Sequence, residues 1–444
     1  MKKTVYIFII IVICFTNLHS QIPPEFWMGC AQQEEQSNVS FLTSNMLNCI
    51  NINGSIGNRD FDSKFIPAPN YSIHYIQVNQ IFLQRNDGSG NFQENNPEHN
   101  AILDEIEAGI NKAYSEIKKI TNNSSCYNGT DYVPDTRIRF VFDRYYIRYE
   151  KGWDNKGSNL CPDTSPWYLD SLDNAIVNNP NIKRGINIYY TEWGQNYIDL
   201  VVNRTKDTNA SSGLACSQPP SFSNYQRSSR IHSPDCYTKY WHMKNIVPQQ
   251  YNQPWDPVVR GWYLQMAVGL AHELGHSLWL YHESPYYAQD QCVWSLMSTK
   301  YDNPRSFLPP SEVGRMYAAL SLSNLRTFIR KDMYNVVPFN ISYTDNWNMD
   351  IRLYQDLNIN SGGKLTISCK TGMTGKANIL VKNGGTLTID GGIINTFSDT
   401  WSGSIKVEAG GALYMKNNAV IEKTSGGFSI DKNAIFEALG GEIN

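Results

Sequence analysis

The chain has 444 residues, more than one hydrophobic core comfortably fills, so two or more domains are expected. Hydrophobic residues make up 41% of it, which is ample for packed cores. The formal net charge is −3 at pH 7, and this mild acidity gives no indication of a nucleic-acid partner.

The first twenty residues predict a secretory signal peptide. They have a basic start at Lys2 and Lys3, an apolar run over residues 5–15 and a polar end. That run is too short to cross a membrane comfortably, and no later segment is apolar enough, so we expect an exported chain without a transmembrane segment. Without residues 1–20 the net charge is −5, from 36 basic and 41 acidic side chains.

Eight cysteines follow the signal peptide, an even set that predicts disulfides in an exported chain, although the sequence leaves their pairing open. The alternative for one of them, Cys30, is that its thiol blocks a metal in a latent precursor. The eight are Cys30, Cys49, Cys126, Cys161, Cys216, Cys236, Cys292 and Cys369.

Residues 21–70 are polar with few periodic runs, and we interpret them as an N-terminal wrap or pro-segment. A strand is then predicted over residues 73–84. Asn96 and Pro97 form a plausible helix start, because asparagine caps helices and proline suits their first turn. The apolar residues that follow step by three and four, as on one face of a helix packed on a sheet. They are Ile102, Ile106, Ile110, Ala113, Ile117 and Ile120.

Two further strands are predicted over residues 137–142 and 185–190, the first with alternating apolar side chains. Residues 203–253 are rich in Ser, Asn and Pro and predict a long functional or cross-linked loop. Residues 255–281 are the most apolar helical segment and should be central and buried. We place one domain over residues 71–335.

The composition changes after about residue 335. Segments 357–368, 379–390, 405–416 and 428–439 align with one another at offsets of 22, 26 and 23 residues, and three of the four carry a Gly-Gly pair. Each predicts a strand, a tight turn and a second strand, and such repeats stack because one alone cannot bury a face. Residues 336–444 are therefore predicted to form an all-β solenoid, with an antiparallel sandwich as the alternative.

Residues 272–282, HELGHSLWLYH, hold three of the eight histidines. On a helix, His272 and His276 leave the same face about 6 Å apart along the axis. Two neutral imidazoles so placed suit zinc, whose nitrogen ligands lie at about 2.0–2.1 Å. Glu273 cannot easily be a further ligand of the same tetrahedral zinc ion. Its carboxylate can instead take a proton from a metal-activated water and pass it to a leaving amine. The alternative is a pair of polar-surface histidines, which the apolar flanking residues disfavour.

With His282 six residues beyond His276, and Met297 fifteen residues further, the segment resembles the metzincin zinc metalloproteases. The resemblance implies one catalytic zinc held by His272, His276 and His282, Glu273 as general base and acid, and Met297 as structural support below the metal. It also implies an α+β catalytic domain: a twisted sheet with two long helices over a smaller irregular lower subdomain. The Tyr-His-Glu at residues 281–283 is similar to the astacin branch, but Tyr301 lies too far from Met297 for that branch's tyrosine ligand.

Trp279 departs from the family, which has glycine there. If the helix continued, His282 would point about 240° away from His276, so the helix must end near Leu278. We expect a left-handed residue at that point, which glycine adopts freely and a bulky residue at a cost of about 1–2 kcal/mol. A metal bond outweighs this cost.

Asp290 and Glu312 are alternative third ligands, whereas Glu283 would lie about 10 Å along the helix axis from His276. His232 and Cys236 have a ligand-like spacing, but a disulfide-bonded loop cysteine beside a surface histidine explains them better. A structural calcium ion has no residues to support it.

The sequence therefore predicts a secreted zinc endopeptidase that acts on proteins or peptides, with C-terminal repeats that are a candidate contact for a surface or glycan. The alternative is a surface-binding or adhesive protein whose protease-like domain is impaired by Trp279. A third hypothesis is hydrolysis of amides in cell-wall peptides or glycopeptides.

Overall fold

The computed structural model describes residues 29–30, 62–67, 71–119, 133–150, 176, 179–191, 213–218, 230–233, 257–280, 295–298, 306–322, 324–348, 351–422 and 424–444. These residues form a mixed α/β structure with few helices and many parallel strands, followed by a strand-rich C-terminal region. The predicted signal peptide lies outside them. Within these ranges, no helix combines the length and the apolar character needed to cross a membrane.

The N-terminal sheet has six strands, β1 (Gly29–Cys30), β2 (His74–Gln84), β3 (Ile138–Arg148), β4 (Ile186–Tyr190), β5 (Gly213–Gln218) and β6 (Arg230–Ser233). Their order across the sheet is β1-β5-β6-β4-β2-β3. All neighbouring pairs are parallel except β5 and β6. The predicted strands 73–84, 137–142 and 185–190 thus correspond to β2, β3 and β4. Strands β5 and β6 lie in the region predicted as a loop.

The first helix, α1 (Pro97–Ser115), begins where its capping residues predict. The Asn96 side chain accepts hydrogen bonds from the backbone N–H groups of Glu98 and His99, which satisfies two of the free donors of the first turn. The helix ends before Ile117, because the Ile117 N–H donates to the carbonyl of Pro134. Ile117 is still buried, so the apolar periodicity continues past the end of the helix.

Two more helices are described, α2 (Pro257–Ser277) and α3 (Pro310–Leu322), of which α3 was not predicted. Helix α2 packs against α1 and against strand β5. Its apolar side chains are buried all round over residues 266–280, except for a partly exposed Val268. The most apolar helical segment is therefore central, as its composition predicts.

Residues 62–67 pack against α3, although the sequence placed them in an N-terminal wrap or pro-segment. Asp62 is fully buried, and its carboxylate accepts a hydrogen bond from the equally buried Arg315 guanidinium at 3.0 Å. A methyl group on Gly314 would lie 2.1 Å from the Asp62 carbonyl oxygen, so the two backbones are in direct contact. This short segment belongs to the core of the domain.

The C-terminal strands stack in parallel, each on the equivalent strand of the next repeat. Leu357 pairs with Ile379, Ile379 with Ile405 and Ile405 with Phe428, which reproduces the sequence offsets. An antiparallel sandwich does not have this pairing. The strands are β7 (Phe339–Ile341), β8 (Thr344–Trp347), β9 (Ile351–Leu353), β10 (Leu357–Ile359), β11 (Lys364–Ile367), β12 (Lys370–Met373), β13 (Ile379–Val381), β14 (Thr386–Asp390), β15 (Ile393–Thr396), β16 (Ile405–Val407), β17 (Ala412–Ile421), β18 (Phe428–Ile430) and β19 (Ile435–Ile443).

The tight turns explain the Gly-Gly pairs. The first glycine of each pair has a left-handed backbone, with φ of 78° at Gly362, 74° at Gly384 and 79° at Gly410. Asn433 takes this position in the last repeat, with φ 71°, and asparagine is among the residues that tolerate it best. Strands β7 and β8 form an additional first repeat that the sequence alignment missed.

The C-terminal strands pack directly on the N-terminal sheet. The rings of Tyr75 in β2 and Tyr354 meet edge to face with centroids 5.3 Å apart, and Ile76 forms a bridge with Ile329. Buried side chains of both regions belong to one continuous apolar cluster. Cys369 is buried and disulfide-bonded, and every other cysteine side chain lies outside those described, so its pairing stays open.

Candidate metal centre

The candidate site lies in the last two turns of α2. His272 and His276 are one turn apart and almost fully buried, with 2% and 0% of their surface exposed. Their rings are 4.7 Å apart between centroids and nearly perpendicular. The structure therefore brings together the two histidines that the helical spacing predicts, and it excludes the polar-surface alternative.

Both rings are oriented by main-chain carbonyl groups. The Nδ1 atom of His272 lies 2.7 Å from the Leu296 oxygen, and Nδ1 of His276 lies 2.7 Å from the Leu280 oxygen. A carbonyl oxygen can only accept, so each Nδ1 must carry the hydrogen and donate it. In the neutral rings each Nε2 is then a lone-pair acceptor.

The two Nε2 atoms point at each other across 3.1 Å. Two lone pairs at this distance repel unless a cation or a proton lies between them. Two nitrogen ligands of a tetrahedral zinc ion, each at about 2.0–2.1 Å, are about 3.3–3.4 Å apart. The histidine pair thus fits two positions of such an ion with little movement.

Glu273 follows the first histidine and is itself buried, with 2% of its surface exposed. Within the described ranges, no three histidine, cysteine, aspartate or glutamate side chains are grouped closely enough to hold an ion. Glu273 therefore does not form a three-residue group with the pair in this part of the chain, and its predicted role as a proton carrier stays a prediction. Glu312, the alternative third ligand, is buried in the first turn of α3 and forms no such group with the pair among the described residues.

Trp279 ends the helix in the left-handed conformation expected for this position, with φ 70°. The Leu280 N–H donates to the Gly275 carbonyl, and the Trp279 N–H donates to the His276 carbonyl, both within 3.0 Å. This pair of hydrogen bonds is the Schellman motif, which normally has glycine where Trp279 stands. The indole is 94% buried, and burial of an aromatic side chain offsets the conformational cost.

Met297 lies in a tight turn of residues 295–298 beside the helix. The Ser298 N–H donates to the Ser295 carbonyl at 3.1 Å, which closes the turn, and Met297 is 1% exposed. The carbonyl that orients His272 belongs to Leu296, the residue before the methionine. The turn thus contacts His272 through its backbone, and the support predicted from the Met297 side chain stays a prediction.

Gly275 lets the methionine approach the helix. A methyl group at this position would lie 2.5 Å from the Met297 sulfur and 3.4 Å from the Tyr114 hydroxyl. Tyr114, from α1, donates a hydrogen bond to the Ala271 carbonyl at 2.8 Å, and burial raises the pKa of its phenol well above its usual value. Neither Gly275 nor Tyr114 was predicted from the sequence, although a lone glycine inside a helix indicates a close approach.

We expect Gly275→Ala to lower stability by about 1–3 kcal/mol, because the added methyl group overlaps the Met297 sulfur. Thermal unfolding of the metal-free protein would measure the loss. An unchanged unfolding temperature would show that Met297 moves aside freely and does not support the helix closely.

The remaining predicted site residues lie outside the described part of the chain. They are His282, the predicted third ligand, and its alternative Asp290, together with Glu283 and Cys236. His232 lies in β6, opposite Cys216 of β5, but its side chain is not among those described.

A search of protein-family models found no match to this chain, and no curated protein matches it either.

Proposed function

We propose that the chain is a secreted zinc-dependent endopeptidase of metzincin type. The observation that carries the proposal is the buried pair of Nε2 atoms at 3.1 Å, each ring fixed by a carbonyl group on its other nitrogen. A metal-ligating histidine almost always donates its second N–H in this way. In this proposal His272 and His276 are two zinc ligands and His282 is the third.

When bound, zinc supplies a Lewis acid and lowers the pKa of a water molecule toward neutrality. Glu273, one residue after His272, is placed to take a proton at its carboxylate and to return it to the leaving amine of a peptide. Its burial shields the carboxylate from bulk water, which strengthens its interaction with nearby charge.

The order of parts supports the metzincin type. Strand β2, helix α1, strands β3 to β6, helix α2 and the turn with Met297 follow one another along the chain. Trp279 supports it as well, because its left-handed backbone ends the helix after two ligands and turns the chain away from the helical path. That turn is what a third ligand at His282 requires.

A metal analysis of the purified chain beside His282→Ala tests the proposal. We expect about one zinc per wild-type chain and a fall in zinc affinity of at least tenfold in the variant, because one of three protein ligands is lost. His232→Ala, which changes a histidine outside the proposed set, is the matched control and should keep its zinc. A wild-type chain without zinc affinity would contradict the proposed function.

A further inference from the structure

Ser295 lies in the turn beside the candidate site, and its hydroxyl contacts one peptide group of that turn. The Met297 N–H donates to the Ser295 hydroxyl oxygen at 3.1 Å. The carbonyl of the same peptide group, that of Leu296, accepts from Nδ1 of His272 at 2.7 Å. Because a peptide group is planar, fixing its N–H end also fixes the direction of its carbonyl.

We propose that Ser295 is a positioning residue for His272, acting through the peptide group between Leu296 and Met297. Its hydroxyl holds the N–H end of this group, so that the carbonyl end keeps the imidazole in the tautomer whose Nε2 carries no hydrogen. As a positioning role in zinc binding, the inference rests on the proposed function. The hydrogen-bonded chain itself is also testable without metal.

The burial and the backbone contacts of Ser295 hold its hydroxyl in place as the acceptor for the Met297 N–H. Ser295 is 1% exposed, so bulk water does not readily replace its hydroxyl as the acceptor for the Met297 N–H. The residue is also held in place, because its backbone bridges to Phe307 and the Leu296 N–H donates to the Phe307 carbonyl at 2.9 Å. The segment around Phe307 thus anchors the turn, and the Ser295 hydroxyl holds the peptide group between Leu296 and Met297.

The second histidine has a different support. The Leu280 carbonyl accepts a hydrogen bond from Nδ1 of His276. The N–H of the same residue donates to the Gly275 carbonyl at the end of the helix. The contact described at this residue is thus a main-chain hydrogen bond, whereas the Leu296–Met297 peptide group is contacted by a side-chain hydroxyl. We expect loss of the Ser295 hydroxyl to affect His272 selectively.

The test compares Ser295→Ala, Ser295→Thr and Ser298→Ala in the full chain. Zinc affinity should fall about 10–100-fold in Ser295→Ala, as is typical when the partner of a metal ligand is removed. Threonine keeps the hydroxyl and should restore affinity to within a few-fold of the wild type. Ser298→Ala is the matched control, because Ser298 closes the same turn with its backbone N–H, which the substitution keeps.

Nitrogen NMR of the histidine rings in the metal-free proteins supplies a second readout. His272 should be the Nδ1-protonated tautomer in the wild type and a mixture of tautomers in Ser295→Ala, whereas His276 should not change. If Ser295→Ala does not fold, Ser295→Cys replaces it, since sulfur is a weaker acceptor.

Wild-type zinc affinity and an unchanged His272 tautomer in Ser295→Ala would overturn the role of Ser295 and leave the proposed function intact. A wild-type chain that binds no zinc, but whose His272 tautomer changes in Ser295→Ala, would instead refute the proposed function and retain the hydrogen-bonded chain.

Discussion

Glu273→Gln should abolish most peptide cleavage while leaving the zinc content unchanged. Glutamine has nearly the same shape but cannot take up the proton, and general acid–base groups contribute about 10²–10⁴-fold to rates. Since Glu273 is not grouped with the histidines as a third ligand, its loss should not empty the site. Hydrolysis of an unfolded protein, with metal analysis of the same samples, measures both effects.

The matched control is Glu312→Gln, which also removes the charge of a buried carboxylate but lies in α3 and outside the histidine group. It should retain activity in proportion to its folded fraction. If the wild-type chain bound zinc but cleaved no protein or peptide, and Glu273→Gln changed nothing, an adhesive protein with an impaired protease-like domain would be the better explanation. An assay of hydrolysis of insoluble cell-wall substrates would test the third hypothesis, cleavage of amides in cell-wall peptides or glycopeptides.

Asp62→Ala should lower the free energy of unfolding by about 3–5 kcal/mol, the usual effect of leaving one partner of a buried ion pair without the other. Arg315 is 1% exposed, so water does not solvate its guanidinium once the carboxylate is gone. Urea unfolding followed by tryptophan fluorescence measures the change. A loss below about 1 kcal/mol would contradict a structural role for the pair.

A double variant distinguishes the loss of the ion pair from general damage to the core as the cause of the lower stability. Asp62→Ala combined with Arg315→Met removes both charges, and well-packed apolar replacements of buried pairs are often neutral. We therefore expect the double variant to recover most of the stability that Asp62→Ala loses, a coupling that a double-mutant cycle quantifies.

The local pattern of the chain predicted the helices and strands that have a clear period. Asn96 and the three- and four-residue steps after it predicted α1, and the spacing of His272 and His276 placed both rings on one face of α2. The offsets of 22, 26 and 23 residues predicted the register of the C-terminal strands. These features are determined by residues close in sequence or by repetition, so a single sequence contains them.

Strands β5 and β6 were missed because their residues lie in a polar region without a period of two, and they are held by pairing with the rest of the sheet. The predicted end of α1 lay too far along the chain for a related reason. The apolar residue Ile117 stays buried, but its N–H donates to the Pro134 carbonyl instead of to a carbonyl of the helix. In both places tertiary contacts override local preference.

By itself the sequence placed His272 and His276 on one helix face and determined the need for a left-handed residue at the helix end, which Trp279 provides with φ 70°. Only the tertiary structure decided which groups orient those side chains: the carbonyl of Leu296, 24 residues beyond His272, and the sulfur of Met297 against Gly275. It likewise decided the pairing of Asp62 with Arg315, 253 residues apart. The physical reason is that helical period and backbone conformation act over a few residues, whereas these contacts depend on how distant segments pack together.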